Sequence, residues 1–485
     1  MHHRNLPALA ATLLLFIAPA CLAQTQFPDT PAGNQTKAWM EAFNAGDIEK
    51  YREFYRKNFP ARVERAAGAM QLRQQNGGFE LKKIEESTPT KIVALLQERL
   101  SDRFVRLTVE VDATEQHQMT RLDLQGIPRP AEFPLPQLSE SELIAAARKK
   151  LDEETAADRF SGAALIAKNG KTVFANAYGL ADREKKTPNT LKTRFRVGSM
   201  NKMFTAVATL QLVQSGKLDL KAPFGNYLTD YPNKDVASKV TIEQLLSHTG
   251  GTGDIFGPQF SEHRLELKTL QDYVKLYGNR GPEYPAGSRW QYSNYGFLLL
   301  GVLIEKVSGQ SYYDYVRNHI FKPSGMTSTA SEPEDQLVAD RSVGYTNFGG
   351  AGLRPNTDTL PYRGSSAGGG YSTVEDLLKF ATALQANKLL DAKHTELLTT
   401  GRVETPSGDK YAFGFQESVV NGLRCFGHGG GAPGMNGELK ICPGPGNALH
   451  PGPASGSGYV IAVLANMDPP AATRVADFIV NRRPK

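Results

Sequence analysis

Phe195-Arg196-Val197-Gly198-Ser199-Met200-Asn201-Lys202-Met203-Phe204-Thr205-Ala206 is the stretch on which the fold turns. A short strand-like run, Arg194 to Gly198, ends at a glycine. The residues after it open an amphipathic helix in which Phe204, Val207, Leu210, Leu212 and Val213 recur at helical spacing. Ser199 and Lys202 are three residues apart, so on a helix the hydroxyl and the amine share a face. A serine alcohol is a poor nucleophile until a base takes its proton. A lysine that is partly desolvated, or beside another cation, can be neutral enough to do so. The helix N-terminus also presents backbone N–H groups to a developing oxyanion. The pattern S-x-x-K has a plainer reading, an N-cap serine followed by a solvated lysine. A second copy, Ser407-Gly408-Asp409-Lys410, follows Pro406, has no helix after it and reads as a turn.

Two further stretches carry candidate chemistry. Tyr292-Ser293-Asn294 follows Pro285-Ala286-Gly287 and precedes an apolar helix, Gly296 to Val307. A phenol near a lysine can relay protons, and an adjacent amide can hold a substrate carbonyl. Y-x-N recurs at Tyr231 and Tyr345, where it reads as ordinary turn chemistry. His428-Gly429-Gly430-Gly431 is the third stretch: glycines let a substrate backbone lie close to a strand edge, and the N–H of Gly431 can complete an oxyanion hole with that of Ser199.

Together the three stretches resemble the serine β-lactamase and penicillin-binding-protein superfamily, whose S-x-x-K signature travels with two companion motifs. The resemblance is strongest to the class C β-lactamase-like branch, with its esterases and D-amino-acid peptidases. It extends over most of residues 140 to 480, through Leu245-Leu246-Ser247-His248-Thr249-Gly250-Gly251, Phe321-Lys322-Pro323-Ser324-Gly325-Met326 and Ala367-Gly368-Gly369-Gly370-Tyr371-Ser372-Thr373. It implies an antiparallel sheet flanked by helices with a helical subdomain, and no cofactor or metal. It further implies Ser199 as nucleophile, Lys202 and Tyr292 as proton movers, and an oxyanion hole from Ser199 and Gly431. Asn294, His428, Gly429 and Gly430 would contact a small-molecule or peptide substrate. His428 and Gly429 stand where many relatives carry the lysine and threonine of K-T-G. The missing ammonium and hydroxyl favour an ester or peptide-like amide over a β-lactam, with His428 bonding the leaving group or the acyl oxygen.

Working outward, the chain reads as an α+β multidomain protein of 485 residues. Residues 34 to 75 read as helices, through Trp39, Met40, Phe43, Tyr51, Phe54 and Tyr55. Three strand-like runs follow, Lys91 to Gln97, Phe104 to Val111 and Met119 to Leu124. This unit, residues 30–128, resembles the cone-shaped nuclear-transport-factor-two-like folds, helped by Phe43-Asn44-Ala45-Gly46-Asp47. The resemblance implies association of two chains through it, or shaping of the substrate side. A Pro-rich linker, 129–138, leads into the hydrolase-like domain, 139–485. There Asn169-Gly170 signals a hairpin, Tyr459 to Ala465 a strand and Ala472 to Val480 a final helix. Pro443 to Gly458 reads as a loop.

Residues 1–23 have the composition of a signal peptide, with an apolar run from Leu6 to Ala20 and cleavage expected near Ala23. Lipidation at Cys21 is the rival. A periplasmic or secreted location follows, in which Cys425 and Cys442 either pair or stand as two small buried hydrophobes. They are placed almost symmetrically about the turn of an expected hairpin, Gly422 to Gly429 with Gly437 to Cys442. A formal charge of +6 without a long Lys/Arg run argues against nucleic acid, and no later segment reads as a transmembrane span. Scattered histidines without paired-ligand spacing argue against a metal. Two alternatives stand beside the serine hydrolase. One is a non-catalytic cell-wall or ligand-binding protein on the same scaffold. The other is an α/β-hydrolase using Ser366, since Gly364-Ser365-Ser366-Ala367-Gly368 spells G-x-S-x-G, though no strand precedes it.

Overall fold

The computed structural model describes residues 26–350, 352–444 and 458–484. The expected signal peptide, 1–23, and nearly all of the expected Pro443 to Gly458 loop lie outside these. In the amino-terminal unit three helices, α1 (Pro31–Ala45), α2 (Ile48–Asn58) and α3 (Ala66–Asn76), pack on an antiparallel sheet. Its strands run in chain order: β1 (Phe79–Ser87), β2 (Lys91–Glu98), β3 (Phe104–Val111) and β4 (Met119–Ile127). Four residues of the Phe43 to Asp47 stretch have a local cause. Phe43 is in the aromatic core with Trp39 and Phe79. Gly46 ends α1 at φ +71°, and Asp47 caps α2 by accepting from Glu49 N and Lys50 N. Asn44 ties this corner to the sheet through both backbone groups of Phe79.

β1 has no counterpart among the expected strands. Its register slips between Leu81 and Lys83 and again between Ile84 and Glu86. The two bulges destroy the alternation that marks a strand in sequence.

In the second unit eight strands form one antiparallel sheet among the described residues. From one edge inward it runs β6 (Lys171–Tyr178), its hairpin partner β5 (Gly162–Lys168), then β10 (Tyr459–Ala465), β9 (Met435–Cys442), β8 (Leu423–Ala432) and β7 (Gln416–Val420). Two short edge segments, Lys410–Tyr411 and Val403–Glu404, complete it. Asn169 and Gly170 turn the first hairpin at φ +52° and +75°. β10 is apolar throughout because both of its faces are covered. Ile461 and Val463 face a core with the helices α4 (Glu140–Ala156) and α7 (Ala471–Arg482). Ala462 and Leu464 face the helical layer containing α5 (Asn201–Gln214) and α6 (Asn294–Ser308).

α5 is not the amphipathic helix its spacing suggests: every residue from Asn201 to Leu210 is buried. Its polar residues are satisfied inside. Thr209 donates to Thr205 O, and Thr205 to Ser366 O. β8 also runs further than expected, through the whole glycine run to Ala432, because Gly429, Gly430 and Gly431 pair in register with Glu438, Gly437 and Asn436. Cys425 and Cys442 are joined by a disulfide on the α4/α7 side of the sheet.

The amino-terminal unit is docked against α7. Arg482 donates to both oxygens of Asp102 at 2.5 and 2.9 Å, Arg103 to Asp477 at 3.0 Å, and Arg474 to Gln75 O at 2.7 Å. The Pro-rich segment lies across the sheet, with Phe133 stacked on Phe104 and Arg129 over the same ring.

Candidate active site

Ser199 lies in a turn, Gly198–Met200, that leads into α5, and it makes no capping bond to the helix. Its hydroxyl is 3.1 Å from Lys202 Nζ. Ser199 opens to a cleft while Lys202 is fully buried. The amine has two other neighbours, Asn294 Oδ1 at 2.7 Å and the carbonyl oxygen of Ala367 at 2.5 Å. Burial drives the Lys202 amine down to about 7, opposed only by the nearby carboxylate of Asp254. Tyr292 lines the same cleft as Ser199, and Lys202 Nζ lies 4.7 Å from the centre of its ring. Burial holds this phenol well above its ordinary range, so it is protonated at neutral pH.

Gly-Ser-Ser-Ala-Gly, 364–368, is a loop that serves α5 through its backbone. Three successive carbonyls, of Ser365, Ser366 and Ala367, accept from Asn201, Thr205 and Lys202. The Ser366 side chain is sealed against α6 with its hydroxyl unpartnered, and only the glycine at 301 leaves it room. It touches neither cleft nor base, which removes it as a nucleophile.

The glycine strand β8 lies against the Ser199 turn, and glycine is required on both sides. A Cβ on Gly430 would sit 1.9 Å from Val197 O and 3.0 Å from Ser199 N. Gly198 is at φ +51°, where a Cβ would be 2.9 Å from Gly431 N. The backbone N–H groups of Ser199 and Gly431 are thereby brought to one side of a cleft of about 300 Å³. Ser199, Tyr292, His428, Gly429, Gly430 and Gly431 line it, with Gln416, Asn436 and Thr473. Asn436 holds the glycine strand to α7: it donates to Gly430 O at 2.8 Å and accepts from Ala472 N at 2.7 Å.

Two expected substrate contacts are spent inside the protein. Asn294 gives its oxygen to Lys202 and its amide N–H groups to Asp254, at 3.0 and 3.1 Å. It is buried and fully bonded, so it does not present its amide to a substrate. His428 uses both ring nitrogens. Nδ1 faces Gly429 O, which can only accept, so Nδ1 carries the proton. Nε2 then accepts from Tyr411 Oη at 3.0 Å. Burial, together with the charge of Lys202, lowers this imidazole to about 3, so it stays neutral. The expected bond from His428 to a leaving group or acyl oxygen has no free donor in this arrangement.

Asp254 and Tyr411 were not named from the sequence, and His248 entered only within the Leu245 to Gly251 stretch of the resemblance, with no role. Tyr411 lies in the short strand next to the sheet edge, and His248 and Asp254 bound His248-Thr249-Gly250-Gly251-Thr252-Gly253-Asp254, a polar, glycine-rich break between helices. That composition is the one signal that could have flagged it. His248 is buried, with Ser293 N–H donating to its Nδ1 at 3.1 Å and its ring against Tyr292, Phe297 and Tyr411.

An antiparallel sheet flanked by helices, with a serine and a buried lysine one turn apart beside its glycine-rich strand, defines a serine hydrolase of the active-site-serine type. Residues 144–483 match the Beta-lactamase family model, and the chain belongs to that family. It is similar to the penicillin-binding protein of Bacillus halodurans, at 30% identity and TM-score 0.59 over 68% of this chain and 98% of that one. A D-stereospecific amidohydrolase from Streptomyces sp. superposes with TM-score 0.57 at 27% identity, over 70% of this chain and 98% of that one. The teichoic acid D-alanine hydrolase of Staphylococcus aureus is 29% identical over 270 residues, 55% of this chain and 65% of that one. The chain spans 62 to 65% of the length of the curated relatives it matches. Among the described residues no helix is long and apolar enough to cross a membrane, and no cluster of potential ligands could hold a metal ion.

Proposed function

We propose that this hydrolase cleaves an ester or peptide-like amide through an acyl-enzyme on Ser199, with Lys202 as base and Tyr292 as relay. The observation that carries this reading is the environment of the Lys202 amine. A neutral amine has two N–H bonds and one lone pair. Asn294 Oδ1 and Ala367 O can only accept, so they take the two N–H bonds. The lone pair is left for the third neighbour, the Ser199 hydroxyl. As Ser199 Oγ bonds the substrate carbonyl carbon, its proton passes to Lys202. The carbonyl oxygen becomes an oxyanion facing the N–H groups of Ser199 and Gly431. Tyr292 then delivers a proton to the leaving oxygen or nitrogen as that bond breaks and takes one from the Lys202 ammonium, so the proton from Ser199 is in effect passed to the leaving group. Water attacks the acyl group by the reverse route.

The cleft favours an uncharged substrate on the leaving-group side. The described residues lining it include no cationic side chain, since His428 is neutral. A β-lactam or peptide carboxylate would find no ammonium there, which supports weak or absent β-lactamase activity. The similarity to a teichoic acid D-alanine hydrolase and a D-stereospecific amidohydrolase supports D-amino-acyl esters and amides as the class to try first. We also propose export, on the composition of residues 1–23, and a separate domain at 30–128 resembling nuclear-transport-factor-two-like folds.

The test is a fluorophosphonate probe with mapping of the adduct, beside a substrate screen of short nitrophenyl esters, D-alanyl amides and a chromogenic cephalosporin. A single adduct on Ser199, absent from Ser199→Ala, is expected, with ester or amide turnover far above cephalosporin turnover. No adduct and no turnover would favour a binding protein on the same scaffold.

A further inference from the structure

We propose that Asp254 is a positioning residue that determines where the Lys202 lone pair points, by deciding which end of the Asn294 amide faces the amine. The inference rests on the reading of Lys202 as the base for Ser199.

An asparagine amide is almost symmetric in shape and opposite in chemistry at its two ends. With its oxygen toward Lys202, it consumes one N–H of the amine. Turned over, its NH2 would donate to the lysine lone pair and draw it away from Ser199. A carboxylate can only accept. Asp254 places both oxygens on Asn294 Nδ2, at 3.0 and 3.1 Å, and takes Asn294 N–H at 3.2 Å. The turned-over amide would set oxygen against two carboxylate oxygens. The charge of Asp254 therefore holds the amide in the orientation that frees the lone pair.

Asp254 is itself fixed. Its Oδ1 accepts from Ile255 N at 2.7 Å. Its carbonyl accepts from Arg280 at 2.7 Å, and that guanidinium lies over the rings of Tyr277 and Tyr295. Asp254 makes its side-chain hydrogen bonds to Ile255 and Asn294 and none to Ser199, and it does not line the cleft. Its influence on chemistry runs through Asn294.

Asp254→Asn keeps the size and removes the acceptor-only character, because the new amide can face Asn294 with either end. On the full chain with a nitrophenyl ester, kcat is expected to fall about 100-fold with KM changed less than about threefold, the scale of a general base that is often misdirected. Asp254→Asn in an Asn294→Ala background is expected to cost little beyond Asn294→Ala alone, since the intermediary is gone.

The acidic limb of kcat/KM supplies a readout that a merely structural role would not move. The groups facing the amine are Asp254, His248, His428 and Tyr292, and only the first carries charge at neutral pH. Removing that charge favours the neutral amine, so the limb should move to lower pH while the plateau drops.

Unchanged kcat, a loss confined to KM, additivity in the double variant or a stationary limb would each overturn the proposal. Should Asp254→Asn not fold, Asp254→Ser is measured with the same expectations. Ser199→Ala and Lys202→Met separate the two levels. If they stay active, the base assignment itself is wrong. If they are dead while Asp254→Asn behaves as wild type, only the positioning role falls.

Discussion

The imidazole of His248 and the phenol ring of Tyr292 lie 4.3 Å apart, centre to centre, and the same histidine bonds the backbone on both sides of that tyrosine. Gln291 N–H donates to His248 O at 3.0 Å, and Ser293 N–H to His248 Nδ1 at 3.1 Å. His248 sits at φ +59°, a conformation that asparagine tolerates and alanine resists. His248→Ala removes the ring and the acceptor and strains the turn. A proton relay misplaced by about 1 Å can cost about 100-fold, and that loss in kcat/KM is expected. His248→Asn should retain more activity, because its side-chain oxygen can still accept from Ser293. Burial holds the His248 imidazole well below its ordinary range, so neither variant should remove an inflection between pH 5 and 9. Equal activity of the alanine and wild-type proteins would show that Tyr292 needs no such support.

Lys202 fixes the pH dependence. Burial brings its amine from 10.5 to about 7, and only the neutral amine accepts a proton. As pH falls below about 7 the amine is protonated, and kcat/KM should drop about tenfold per unit. Above that the profile should be flat until another group titrates. The stability effect has the same origin and the same direction. Between about 7 and 10.5 the unfolded chain holds a proton on this lysine that the folded chain does not, so this group's contribution to stability grows as pH rises. An acidic limb centred near pH 4 would assign the essential ionisation to a carboxylate instead.

The motifs were legible where chemistry and local geometry coincide. Ser199 and Lys202 meet because a spacing of three across a helical turn and the first turn of α5 puts them on one face, and the Asn169-Gly170 hairpin forms because those residues tolerate positive φ. The supporting shell was not legible. Asp254 is 40 residues from the Asn294 it orients, and Ala367 contributes a carbonyl, which any residue has. His428 and Asn294 look like free polar groups in sequence, and only their burial reveals that each is consumed by protein partners. β1 escaped for the opposite reason: the bulge between Leu81 and Lys83 puts Ile84 out of the alternate spacing that Phe79 and Leu81 begin, although all belong to one strand.

Cys425 and Cys442 bridge neighbouring strands, β8 and β9, 17 residues apart in sequence. A loop of that length is constrained by about 3 kcal/mol in the unfolded chain. The pair is packed with α4 and α7, on the face of the sheet turned away from α5. Replacing both by serine should lower unfolding stability by about that amount in chemical denaturation, with kcat of the folded protein unchanged. Non-reducing mass spectrometry should find no free thiol at either position in the wild-type chain; two free thiols would remove the basis for the expected loss.

The approach of β8 to Ser199 is the most exacting requirement in the site, because backbone meets backbone with no side chain to yield. A methyl group on Gly430 would overlap Val197 O at 1.9 Å, so Gly430→Ala must push the strand away from the Ser199 turn. The N–H of Gly431 moves with it. Losing one oxyanion donor costs about 100- to 1,000-fold in kcat, and that range is expected, with KM changed far less. Gly422 supplies the control. It lies at φ +77° in the turn just before the far end of the same strand, with nothing within 4 Å of a Cβ. Gly422→Ala should cost about 1 kcal/mol of backbone strain and leave kcat alone. Fluorophosphonate labelling rates should follow kcat in both variants. A Gly430→Ala protein labelled at the wild-type rate would mean that the strand's proximity to Ser199 is packing alone and that the oxyanion is held elsewhere.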